Sequence, residues 1–170
     1  AGFDELVVKS GDVTVGSVEI PVYGIKLEDK LTSVSFDTGK YYVIQNNSTS
    51  RYLYNKESTT NASRILRNTW DFSSLVKFGN TKSTSTIAFD KVKNNNQYYL
   101  GSSGSTNVAL STTSYSWTIT DAFRISRSSS RYIYDGNDTN GSISISDSNT
   151  TRASRYWNIY PVTIVAPTAN

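Results

Sequence analysis

Apolar and polar positions alternate along this chain in short runs. Val18-Glu19-Ile20-Pro21-Val22-Tyr23 alternates, and so does Leu31 to Phe36. Later short runs rich in Tyr, Val, Ile and Leu also predict strands: Tyr41 to Gln45, Arg51 to Tyr54, Ile87 to Val92, Gln97 to Leu100, Ala122 to Ser126 and Arg131 to Tyr134. Side chains of a strand point to opposite faces in turn, so a period of two predicts strands. No run of helical period exceeds about two turns. Ser, Asn, Asp and Gly crowd between the runs and predict turns.

The runs also repeat. Ser50-Arg51-Tyr52-Leu53-Tyr54-Asn55 and Ser130-Arg131-Tyr132-Ile133-Tyr134-Asp135 lie 80 residues apart, with a weaker copy, Gln97-Tyr98-Tyr99-Leu100-Gly101, between them. Three units of roughly 40 residues imply a threefold pseudo-repeat. Each unit reads as a strand, a polar turn, a Tyr-rich return strand, a short apolar strand and an aromatic closing strand. Leu53 to Phe78 is 25 residues, Ile133 to Trp157 is 24, and Leu100 to Trp117 is 17. In the first unit either Leu75 to Phe78 or a segment around Trp70 closes the repeat. Twelve strands in three units predict a β-trefoil over residues 40–165, a ring of six strands capped by three hairpins; closure of this kind leaves no sheet edge exposed. Residues 1–39 predict an extra N-terminal β segment, with a hairpin turning at Ser10-Gly11-Asp12 and Pro21 at an edge or bulge. That segment is a packed flank, the end of another domain or a linker strand. Pro161 is expected to end the last closing strand, and 166–170 to form a loose tail.

Composition narrows the function classes. Only 36% of residues are apolar, so the core must draw on the 12 Tyr as well as on Val, Ile and Leu. Net charge is +3, and the basic residues are dispersed instead of forming a stripe, which argues against nucleic acid as a partner. The chain has no Cys, Met or His, which excludes disulfides, thiolate metal sites and imidazole catalysis. No cofactor is implied. No apolar run is long enough to span a membrane as a helix. A Ser-, Thr-, Asn- and Tyr-rich chain of this kind suggests a secreted or cell-surface protein.

The segments Tyr41-Tyr42-Val43-Ile44-Gln45-Asn46-Asn47 to Arg51-Tyr52-Leu53, Phe123 to Ile133, Tyr115-Ser116-Trp117 and Arg155-Tyr156-Trp157 together resemble the ricin-B-type β-trefoil lectin family over about residues 40–163. The resemblance implies a non-catalytic, carbohydrate-binding module. In that family the closing strands carry Gln-any-Trp, and a sugar-binding Asp directly follows the Leu of the return strand. Here no Gln stands before either Trp. Tyr54, Gly101 and Tyr134 hold the place of the Asp, with Asn55 and Asp135 one residue later.

The resemblance places sugar sites on the loops after the return strands, facing the loops before the closing strands. In the third unit these loops hold Asp135 and Asn137, facing Asp147 and Asn149. In the first they hold Asn55, facing Asn68 and Trp70. Carboxylates and amides can accept from and donate to vicinal hydroxyls, and an exposed Trp can stack on a sugar ring. The alternative for each Asp and Asn is simple turn formation, and for Trp70, packing. Trp117 and Trp157 read as core, and Arg51 and Arg131 as solvated or stacked on Tyr. Asp135 with Asp147 is the best carboxylate pair for glycoside hydrolysis, but nothing in their spacing makes them converge, so the chain reads as no enzyme. The alternative function is a protein-binding β-trefoil, such as a protease inhibitor or adhesion module, using Gly79 to Thr86 or Asp135 to Ser142.

Overall fold

The computed structural model describes residues 2–10, 13–22, 24–91, 94–102, 107–128, 131–146 and 152–165. It is all-β: every pairing among the described strands is antiparallel, and the only helical pieces there are two 3₁₀ turns. The strands are β1 (Gly2–Ser10), β2 (Val13–Val22), β3 (Gly24–Leu27), β4 (Tyr41–Asn46), β5 (Tyr52–Leu53), β6 (Leu66–Arg67), β7 (Val76–Phe78) and β8 (Thr84–Ser85). There follow β9 (Ile87–Phe89), β10 (Tyr99–Gly101), β11 (Ala109–Ser111), β12 (Trp117–Ile119), β13 (Ile125–Ser128), β14 (Arg131–Asp135), β15 (Ile143–Ser146) and β16 (Trp157–Val165).

Six segments pair in a closed ring. β4 pairs with β7, and β7 with β9. β8, separated from β9 by Thr86 alone, pairs with β12, and β12 with β13. A bridge from Arg124 to Tyr156 carries the ring to β16, which returns to β4. The remaining strands form three hairpins: β5 with β6, β10 with β11, and β14 with β15. Their inner pairs are Leu53 with Leu66, Leu100 with Leu110, and Ile133 with Ile145, all buried in one apolar cluster. Backbone bonds interlock the hairpin ends: Leu66 N donates to Gly141 O, Leu110 N to Ala62 O, and Ile143 N to Ser63 O.

Register refines the repeat. Phe78 lies opposite Ile87, Ile119 opposite Ile125, and Ile159 opposite Ile44. These are equivalent pairs, so Val76, not Phe78, holds the place of Trp117 and Trp157. Both indoles are buried and make the same bond: Trp117 Nε1 donates to Leu100 O at 2.8 Å, and Trp157 Nε1 to Ile133 O at 3.3 Å. β4 is buried on both faces. Tyr42 and Ile44 enter the main core, while Val43 joins a small cluster with Leu75 and Val162.

The N-terminal β segment divides. β1 and β2 form their own two-stranded sheet, and Pro21 lies opposite Phe3 in it; the turn residues Gly11 and Asp12 lie outside the described residues. β3 instead joins the main sheet beside β16. The alternation at Leu31 to Phe36 does not form a strand. These residues cross an end of the ring as irregular chain, with Leu31 N donating to Ile159 O and Phe36 N to Thr81 O. The Phe36 ring stacks on Phe78, with centroids 3.7 Å apart, and meets the Tyr42 edge at 5.7 Å. Leu31, Val34 and Phe36 all pack on the core although Leu31 is out of step with the other two, which irregular chain allows and a strand does not. Nor does Pro161 end its strand. β16 runs on to Val165, and Pro161 contributes only its carbonyl, which accepts from Glu28 N at 2.8 Å.

Candidate functional site

In the first unit the return strand β5 leads to Tyr54 and Asn55, and the loop before β7 folds into the 3₁₀ turn Phe72–Ser74. Asp71 caps that turn: its carboxylate accepts from Ser73 N at 2.8 Å, and its own N–H donates to Ser74 Oγ at 3.2 Å, a reciprocal capping box. Asn55 N donates to Ser73 O at 2.8 Å, tying the loop to the strand. Between them opens a cleft of about 370 Å³, with Tyr54, Asn55, Lys56 and Glu57 on one wall and Arg67, Asp71, Phe72 and Ser73 on the other.

The cleft has an organised polar floor and one free ring. The Arg67 guanidinium lies 4.4 Å over the Tyr54 ring centroid and donates to Asp71 Oδ1 at 2.5 Å and to Ser73 Oγ. Partial desolvation raises the Asp71 carboxyl. The Ser73 bonds and the Arg67 charge outweigh it, so the carboxyl is held below its ordinary value and stays ionised. Burial and the neighbouring Arg64 charge lower the Lys56 ammonium, whose Nζ donates to Asn61 O at 2.6 Å. Phe72 is 44% exposed, the most exposed of the large apolar side chains described.

The residues singled out from sequence take different places. Asn55 lines the cleft but is buried, with Nδ2 donating to Asp90 O at 3.0 Å and Oδ1 accepting from Glu57 N at 2.9 Å. Asn68 is exposed and does not line it. Trp70 is half-buried against Val43, Leu75 and Val162, in the loop before β7, and does not line it either. The ring presented to solvent there is Phe72, two residues on. Asp71 followed three residues later by Ser74 signals a capped turn there, but nothing in the order of residues says that Phe72 and not Trp70 faces solvent.

The third unit carries the equivalent cleft, about 450 Å³, between Asp135-Gly136-Asn137 and Arg152-Ala153-Ser154, with Ser48 and Thr49 at its side. Asp135 is 1% exposed. Arg51 Nε donates to its Oδ2 at 2.9 Å and Arg51 NH2 to its Oδ1 at 2.5 Å, and the Thr49 hydroxyl donates to Oδ2 as well. Asn137, at φ +57°, donates its N–H to Asp135 Oδ1 at 2.8 Å, an Asx turn. Arg51 is thus neither solvated nor stacked on Tyr, as its sequence position had suggested. It is buried, and it also donates to Asp138 O at 2.8 Å. Burial raises the Asp135 carboxyl, but the bonds from Arg51, Thr49 and Asn137 outweigh it and hold the carboxyl below the usual carboxylate range. Among the described residues no aromatic ring lines this cleft. Asp147 and Asn149 lie outside the described residues.

Among the described residues no cluster of His, Cys, Asp or Glu could hold a metal ion, and no helix is long and apolar enough to cross a membrane. No family model matches the chain, and no curated protein or solved structure matches it either.

Proposed function

We propose that the chain is a β-trefoil of the ricin-B lectin type, a non-catalytic carbohydrate-binding module of an exported protein, and that its sugar site is the first-unit cleft. The six-membered ring of pairings, the three capping hairpins and the repeated indole bond support the architecture. The observation that carries the function is Phe72 standing exposed beside the Asp71–Arg67 pair. A pyranose presents a C–H face and a rim of hydroxyls. Phe72 offers the ring for that face, and the ionised Asp71 carboxylate and the Arg67 guanidinium offer an acceptor and donors for the rim. Among the described residues the third-unit cleft has no ring, and its carboxylate is buried under Arg51 while that of Asp71 is exposed, so it is the weaker of the two as a sugar site.

A glycan array with the intact chain tests this. Binding to a defined glycan should be reduced at least about tenfold by Phe72→Ala and by Asp71→Asn, with thermal unfolding of Phe72→Ala little changed because the ring is exposed. Absence of binding to any glycan, or binding indifferent to both substitutions, would refute the site.

A further inference from the structure

A separate cleft of about 390 Å³ opens where the crossing segment at Lys30 to Thr32 meets the β12–β13 turn and the start of β16. We propose that it is a second saccharide site, taking one pyranose ring, distinct from the first-unit cleft and sharing no residue with it.

Its walls are apolar and aromatic: Leu31, Phe123 and Tyr156 are half-buried there, over the buried Trp157. Phe123 stands in a turn closed by its own N–H to Thr120 O at 2.8 Å and by Thr120 N to Arg124 O at 2.9 Å. Its φ is +60°, the left-handed region that Gly or Asn adopts with little strain and a bulky residue adopts only at a cost. Part of the ring packs on the main apolar core, and the remainder forms a wall of the cleft.

The rim is polar and uncommitted. Lys30, Thr32 and Asn47 are exposed, and none of their side chains makes a hydrogen bond or ion pair to another described residue. Asn158 spends one amide proton on Gln45 Oε1 at 3.3 Å, and its side-chain carbonyl accepts no bond from a described residue. An aromatic wall with amide and hydroxyl groups around it matches the amphipathic faces of a sugar. Pockets for drug-sized ligands span about 300–1,000 Å³, so this one suits a single ring and not an extended chain. The site is not a further copy of the repeated one. Leu31 and Thr32 come from the crossing segment, which precedes the repeat and has a single copy.

An amide-resolved NMR titration of the whole chain with the methyl glycosides of galactose, glucose, mannose and N-acetylglucosamine decides it. At least one glycoside should shift the amides of Leu31, Asn47, Phe123 and Asn158 together. Phe123→Leu, which keeps apolar bulk but removes the aromatic face, should weaken that binding about tenfold. Asn47→Ala, exposed and outside the core, should weaken it about fivefold and serves if Phe123→Leu does not fold. In a Phe72→Ala chain these shifts should persist while those around Tyr54 and Ser73 are lost. The proposal is overturned if no glycoside moves the four amides, if Asn47→Ala binds as the parent does, or if Phe72→Ala abolishes both sets of shifts.

Discussion

Asp135 is buried and reaches an arginine 84 residues away. An unpaired carboxylate at that depth would be strongly disfavoured, and so would the Arg51 guanidinium left behind without it. Asp135→Asn should therefore cost about 3–5 kcal/mol in urea unfolding, while the double replacement Arg51→Met with Asp135→Leu should recover most of that loss. The pH dependence has a definite sign. The folded carboxyl sits below its unfolded value of about 3.9. Its contribution is complete above that pH and is lost as pH falls through the folded value, and an acid titration of stability should be flatter in Asp135→Asn. Gly141 is constrained by its backbone. Its φ is +69°, and a Cβ there would stand 2.2 Å from Leu66 O. Gly141→Ala should cost at least about 2 kcal/mol, because it strains the backbone and pushes apart two interlocked hairpins.

At the scale of elements, each closing strand is fixed by what its inward residue can bond. Trp117 and Trp157 fill equivalent places and each satisfies a buried carbonyl of its own return strand. Val76 fills the third place and cannot donate. Phe substituted for either Trp should cost about 2–4 kcal/mol, from the lost volume together with an unpaired carbonyl. If the units are true structural copies, the two losses should agree within about 1 kcal/mol. Spacing alone had aligned Phe78 with the two Trp, since Leu53 to Phe78 and Leu53 to Val76 differ by two residues and both keep the inward face. Only pairing with the next unit distinguishes a shift of two, because parity is preserved.

Over the whole molecule, the segment 24–37 is fastened to the ring: β3 pairs with β16, and Phe36 stacks on Phe78. Among the described strands β1 and β2 pair only with each other, and a lone two-stranded hairpin is marginal in water. Deleting residues 1–22 should leave the urea midpoint nearly unchanged, whereas deleting 1–39 should lower stability by about 3 kcal/mol or more, through loss of Phe36 from the core. Limited proteolysis should leave Ser35 to Lys40 intact in the native chain, since Phe36 N is bonded to Thr81 O and Asp37 N to the Tyr42 hydroxyl.

Most strands and the three hairpins were legible in the amino-acid order because they are local; the strand expected at Leu31 to Phe36 and the end expected at Pro161 were not. Alternation decides which side chains face the core, and Asn, Asp and Gly decide where the chain reverses. The copies at Tyr52-Leu53-Tyr54 and Tyr132-Ile133-Tyr134 then place Leu53 and Ile133 inward with no knowledge of their neighbours. Tertiary structure alone decided what depends on distant partners: that Asp135 serves Arg51, that Val76 takes a tryptophan's place, and that Phe36 stacks on Phe78 instead of pairing in a strand. It also decided that Trp70 turns toward Val162 while Phe72 meets solvent. Those two aromatics stand two residues apart in one loop, and a loop has no period to say which way a side chain points. That direction was set by the cap at Asp71 and by the apolar surface waiting beneath Trp70.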